Sequence, residues 1–242
     1  MTKKTYNSKG SYTEETSWPD VRRSIFEMDQ GSRTGEGSTF SAIYFGKLNY
    51  RTLGDQYKRT ADIVVESVRI GGIDLNLNPH GLFMPVCYLY RHSLELILKG
   101  LFELLIECDF YNNTNTEEVF GRHNIIDIWK IIKPILIDHW SDSDPKPLNN
   151  VESLITDFHR IDKSGQALRY SKFKNGKYVR KKFPEFVNLE LLKDAFDEIH
   201  SFFSGTITEF LFISDYIAEE RAYTISLRKE RTVIIDTNNG RI

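Results

Sequence analysis

The stretch YRHSLELILKG, Tyr90 to Gly100, sets an arginine, a histidine, a glutamate and a lysine into a run otherwise suited to the middle of a protein core. On a helix, His92, Glu95 and Lys99 follow one another at spacings of three and four, so they form a single stripe. Leu94, Leu96, Ile97, Leu98 and Leu101 cover most of the remaining circumference. The stripe therefore faces either solvent or a polar site inside a bundle. Glu103 and Glu107 extend it and read as a solvated edge. The simpler alternative makes all five a wet face held by ion pairs.

Outward from this stretch, Leu82 to Phe110 reads as one long helix whose charges argue against a membrane span. Before it, from Ser41, Leu53, Tyr57, Ala61, Val64 and Val68 recur at helical spacing, and GGIDLNLNPHG, Gly71 to Gly81, breaks the pattern. After it, the Asn/Thr cluster YNNTNTEE predicts a loop. A third helix is expected from His123 to Trp140, kinked at Pro134, and a fourth from Leu148 to Arg160. LRYSKFKNGKYVRKKF, Leu168 to Phe183, centres Asn175-Gly176 between two aromatic runs and predicts a β-hairpin. The last helix, Asn188 to Glu220, carries Leu192, Phe196, Ile199, Phe203, Ile207, Phe210 and Ile213 on one face.

The expected architecture is all-α: a bundle of four to five long helices with a small β-hairpin inserted before the last long one. Residues 1–40 read as a polar arm, with a short helix around Trp18 to Met28. Residues 41–222 read as the helical domain and 223–242 as a tail.

A chain of 242 residues, 40% hydrophobic and 13% aromatic, has enough apolar mass for a substantial core. Its net charge of −2 neither demands nor excludes a nucleic-acid partner, so any basic patch must be local. The N-terminus has no apolar signal region and no stretch reads as a membrane anchor, so the expected location is cytoplasmic. Cys87 and Cys108 fall on one helix, roughly 30 Å apart at 1.5 Å per residue, beyond disulfide reach. Both read as buried, reduced thiols. No dense cluster such as HExxH is present, nor a GxGxxG, Walker loop or GxSxG, so neither a metal site nor a cofactor is expected.

Ionisable residues recur outside the second helix. His123 precedes IIDIW with Asp127 one turn on, and FHRIDKSGQALRY sets Asp162, Gly165, Gln166, Arg169 and Tyr170 in a row. Taken together, LYRHSLELILK, the GRH start of the third helix and the Asp…Gly turn before LRY resemble the prokaryotic HEPN-like helical proteins over roughly residues 40–205. The resemblance implies an all-α bundle that often dimerises. It also implies a superfamily of ribonuclease toxins, nucleotide-binding modules and antiviral-defence or toxin-antitoxin components. Many nuclease members carry an arginine, four to six residues, then a histidine. None of the six histidines here has that spacing, so only the local set carries over: His92, Glu95, Lys99, His123, Asp127, Arg169 and Tyr170.

That set has the right residue types for metal-free RNA cleavage, which needs a base, an acid and a cation for the phosphorane charge. The expected catalytic residues are His92, Glu95, Lys99, His123 and Arg169. Arg91, Asp127, Gln166 and Tyr170 are expected to contact ligand or nucleic acid, with Lys172, Lys174, Lys177, Arg180, Lys181 and Lys182 of the hairpin. Cations interleaved with Phe173 and Tyr178 suit single-stranded RNA, although lysines also protect an exposed strand edge. The expected partners are RNA or a nucleotide, a second copy of the chain, and possible partner protein. A non-catalytic module that binds a nucleotide or protein and regulates another component is the alternative.

Overall fold

A helix rich in leucine and nearly free of β-branched residues suits the centre of a bundle, and the helix carrying the opening stretch holds that position. The computed structural model describes residues 3–6, 12–15, 49–70, 79–112, 116–170 and 187–239. The chain divides into two units, Met1–Gly46 and Lys47–Ile242. In the first, β1 (Lys3–Tyr6) pairs antiparallel with β2 (Tyr12–Glu15), Lys3 opposite Glu15 and Tyr6 opposite Tyr12. This ribbon lies within the segment expected as a polar arm; the helix expected around Trp18 to Met28 lies outside the described residues.

The second unit is all-helical among its described residues. In order come α1 (Tyr50–Arg69), α2 (Pro79–Glu107), α3 (Thr116–Gly121), α4 (Ile125–His139), α5 (Lys146–Ile161) and α6 (Leu189–Asn239). None is long and apolar enough to cross a membrane. The hairpin expected over 168–183 falls almost wholly outside the described residues.

Leu94, Leu98, Leu101, Leu104 and Leu105 of α2 are fully buried. α1 lies close against α2 because Gly54 has no side chain: a Cβ there would stand 2.9 Å from Ile97 Cγ1 and 3.2 Å from the Ser93 carbonyl. Ser93 Oγ in turn donates to the Gly54 carbonyl at 2.7 Å. On the other flank, Tyr90 stacks on Phe196 of α6 at 4.6 Å and donates its hydroxyl to Asp62 of α1 at 2.8 Å. Cys87 and Cys108 are buried and unpaired, and burial pushes the Cys87 thiol up to about 12.

Three differences from the sequence reading have local causes. Thr116–Gly121 forms a short helix that begins within the stretch expected as loop, with Glu117 and Glu118 favourably placed in its first turn. α4 starts at Ile125 and not at His123, because Asn124 caps it, and it holds Pro134 inside. α6 continues to Asn239 through the segment expected as a tail, since no glycine or proline interrupts the chain between Gly205 and Gly240. At 51 residues it is roughly 75 Å long.

Candidate functional site

Arg91, Glu95 and Lys99 are spaced by fours along α2 and are all buried, with exposures of 1%, 3% and 5%. The stripe thus faces the interior through these residues, while Glu103 is half-buried and Glu107 exposed. Buried charges persist only when paired and hydrogen-bonded. Glu95 meets that condition: Oε2 accepts from Arg91 Nη1 at 2.7 Å, and Oε1 accepts from Lys99 Nζ at 3.0 Å. Oε1 also bonds His123 Nδ1 at 2.9 Å. Burial pushes the Glu95 carboxyl up, but the hydrogen bonds from Arg91, His123 and Lys99 outweigh it and hold the group below its ordinary range.

The Glu95 to His123 bond fixes a tautomer. A carboxylate only accepts, so Nδ1 carries the proton and Nε2 is the remaining nitrogen. The His123 side chain is 64% exposed, so its ring opens from a buried carboxylate towards solvent. Its position is set by the backbone as well, because Arg91 Nη2 donates to the His123 carbonyl. Asn124 then caps α4 by accepting from the Ile126 amide.

Arg91 also holds the turn after α5. Its Nε donates to the Asp162 carbonyl at 3.1 Å. The fully buried Asp162 carboxylate accepts the amides of Ser164, Gln166 and Leu168 at 3.3, 2.9 and 3.2 Å. Gly165 completes the turn at φ +70°, a conformation that suits glycine, with the Arg91 guanidinium against it. The turn presents Arg169, whose Nε donates to the Gly165 carbonyl at 2.6 Å. Its guanidinium carbon lies 5.8 Å from the ring centres of both Tyr88 and Tyr170.

His92 stands beside this group, edge-on to Tyr57 at 4.5 Å and stacked on Tyr88 at 5.6 Å. Burial pushes its imidazole down; the Glu95 charge acts the other way, while Arg91, Arg169 and Lys99 add to the lowering. His92 is therefore neutral at neutral pH, which suits a hydrogen-bonding or stacking role better than proton donation.

The structure brings Arg91, Glu95, Lys99 and His123 into one hydrogen-bonded network, with His92 and Arg169 within electrostatic reach of it. Gln166 contributes to the Asp162 turn through its backbone, and Tyr170 is exposed next to Arg169. Asp127 is engaged differently, accepting from Asn124 Nδ2 at 2.6 Å in the first turn of α4. Lys172, Lys174, Lys177, Arg180, Lys181 and Lys182 lie outside the described residues.

Tyr57 and Tyr88, which frame His92, and Asp162 were not among the expected site residues. The Asp162-to-Gly165 spacing is a turn signature that points to the last of these. Among the described residues, no group of three or more His, Cys, Asp or Glu side chains is arranged to hold a metal ion. A cavity of about 340 Å³ lies between α4 and α5, lined by Trp140, Pro145, Leu148 and Phe202 among others, and includes none of the expected site residues. Comparison with protein-family models, curated proteins and solved structures finds no match for this chain.

Proposed function

We propose that this chain is a HEPN-like protein that acts on single-stranded RNA through a diverged, metal-independent ribonuclease site centred on His123. The observation that carries this reading is the buried Glu95 carboxylate holding His123 Nδ1 at 2.9 Å while the ring opens to solvent. A carboxylate that accepts from Nδ1 fixes the tautomer and leaves the other nitrogen free to accept a proton as a general base.

In the proposed reaction, His123 Nε2 takes the proton of a ribose 2′-hydroxyl. The 2′-oxygen forms a bond to the adjacent phosphorus, the bond from phosphorus to the 5′-oxygen breaks, and water protonates the leaving oxygen. Arg169, bonded only through Nε among the described residues, has its terminal nitrogens available for phosphorane charge. Tyr88, Tyr170 and neutral His92 supply flat surfaces for bases. A role as a toxin or phage-defence effector follows from the HEPN-like resemblance of the LYRHSLELILK and LRY segments.

His123→Ala tests the reading, with full-length protein, labelled single-stranded RNA and a chelator present. The cleavage rate is expected to fall about 100-fold or more, the usual worth of a general base, with little change in RNA affinity. Equal rates for the two proteins would remove His123 from the chemistry.

One observation favours a second reading, a non-catalytic module that binds a nucleotide or partner protein. Arg91 spends all of its nitrogens on Glu95, Asp162 and His123, so the most buried cation is occupied in joining α2 to two loops. On that reading His123→Ala changes ligand affinity and no RNA is cut.

Self-association through α6 belongs to the same proposal. Phe212, Tyr216 and Tyr223 are 70%, 64% and 62% exposed on this helix, a surface suited to two-fold pairing. Light scattering at micromolar concentration is expected to give twice the chain mass; a monomer mass contradicts it.

A further inference from the structure

Arg51, the second residue of α1, was not among the expected site residues. Its aliphatic stem crosses α2 at Gly100, where a Cβ would stand 2.5 Å from Arg51 Cγ and 3.0 Å from the Arg51 amide nitrogen. The glycine makes room for the arginine. Yet among the described residues the guanidinium this crossing positions meets no counter-charge. Nη1 is buried without a hydrogen-bond partner, and no carboxylate among the described residues pairs with the side chain. The first turn of α1 contains no acidic residue.

A buried guanidinium nitrogen without an acceptor costs stability, and most such groups are satisfied in folded proteins. The surroundings point to what would satisfy it. Lys99, the residue before Gly100, is bound to Glu95, which also holds His123. Tyr50, the residue before Arg51, stacks in parallel on Phe120 at 5.6 Å, three residues before His123. Arg51 is thus linked to the His123 network through α2 and through this aromatic pair. The Arg51 charge is neutralised by no carboxylate bonded to it among the described residues, which favours an anion. A planar guanidinium fork matches phosphate oxygens in pairs.

We infer that Arg51 is a phosphate-binding residue, separate from the reacting atoms. Given the RNA reading above, on which this part rests, its ligand is a phosphodiester of the same strand other than the one cleaved. The stacked Tyr50 and Phe120 rings, next in sequence to Arg51 and three residues before His123, offer an aromatic surface to such a strand.

The test compares the full-length protein with Arg51→Met, which keeps the stem over Gly100 and removes the charge. Melting is followed in inorganic phosphate and in chloride at matched ionic strength, and RNA binding by anisotropy across a salt series. In chloride, Arg51→Met is expected to melt no lower than the parent, since it loses an unpaired cation. Phosphate is expected to raise the melting temperature of the parent and not of the variant. RNA affinity should fall about tenfold, with the log–log salt slope reduced by about one and the rate at saturating RNA retained.

A variant that melts well below the parent in chloride would make Arg51 a structural cation and overturn the inference. So would an equal phosphate response in both proteins. A phosphate response confined to the parent, without RNA binding by either protein, would support the phosphate site and overturn the RNA assignment of its ligand. RNA binding with equal affinity and slope in both would overturn the role of Arg51 and leave the His123 reading standing.

Discussion

Glu95→Ala is expected to destabilise the helical unit by about 3–5 kcal/mol, the cost of breaking a buried charge network by removing one partner. The substitution removes one carboxylate and leaves two cations, Arg91 and Lys99, buried at 1% and 5% exposure. Urea unfolding should show a lower midpoint with an unchanged slope. The acid limb of stability should change as well. Glu95 is held below its ordinary range, so its contribution is complete above the unfolded carboxyl value of about 4.3 and is lost as pH falls through the lower folded value. The variant lacks this loss. His92 acts at higher pH: its imidazole is pushed down by burial, so below about 6.5 the unfolded chain takes up a proton that the folded chain does not. That fall in stability should persist in the variant. A midpoint shift below about 1 kcal/mol would place Glu95 with ordinary surface pairs.

Asp162→Ala is expected to have the next largest effect, through the turn that presents Arg169. Its carboxylate accepts the amides of Ser164, Gln166 and Leu168, and the Leu168 amide lies in a buried setting. Removing it should cost about 2–4 kcal/mol, from roughly 1–3 for each buried amide left without an acceptor. The functional effect follows from the same geometry. Arg169 is tied to the Gly165 carbonyl inside this turn, so loosening the turn frees the cation from its place over Tyr88. RNA affinity should fall even at temperatures where the variant remains folded. Asp162→Asn, which keeps one acceptor oxygen, should lie between the parent and Asp162→Ala. Parental stability in both variants would mean that the turn is held by other contacts.

The helical character of the second unit was legible because period-3.6 patterning is strong in α1, leucines cover most of the circumference of α2, α6 opens with one apolar face from Leu192 to Ile213, and Gly71 to Gly81 is an unambiguous break. The end of α6 was not. From Ala218 to Leu227 its apolar residues are exposed, so there is no buried face to read there, only the lack of a glycine or proline. The ribbon of β1 and β2 is short, with four residues in each strand, and its charged and hydroxyl residues resemble those of a loop.

At the site, sequence spacing identified the stripe of His92, Glu95 and Lys99 but left its direction open. Spacing on one helix cannot say whether a charge meets water or a buried partner. That depends on Arg91, which lies a full turn before Glu95 and donates to carbonyls from segments 32 and 71 residues away. Arg51 was invisible for a related reason. An arginine near the start of a helix is ordinary in sequence, and only its crossing at Gly100 shows that its Nη1 is buried without a hydrogen-bond partner.

In the proposed reaction His123, held by Glu95, removes a proton from the RNA 2′-hydroxyl. The most direct measurement is the chemistry of the ends that the full-length protein leaves on labelled single-stranded RNA in the presence of a chelator. Attack by the 2′-oxygen is expected to leave 2′,3′-cyclic phosphate on one fragment and a 5′-hydroxyl on the other. Intact RNA, or fragments with 3′-hydroxyl and 5′-phosphate ends, would contradict it.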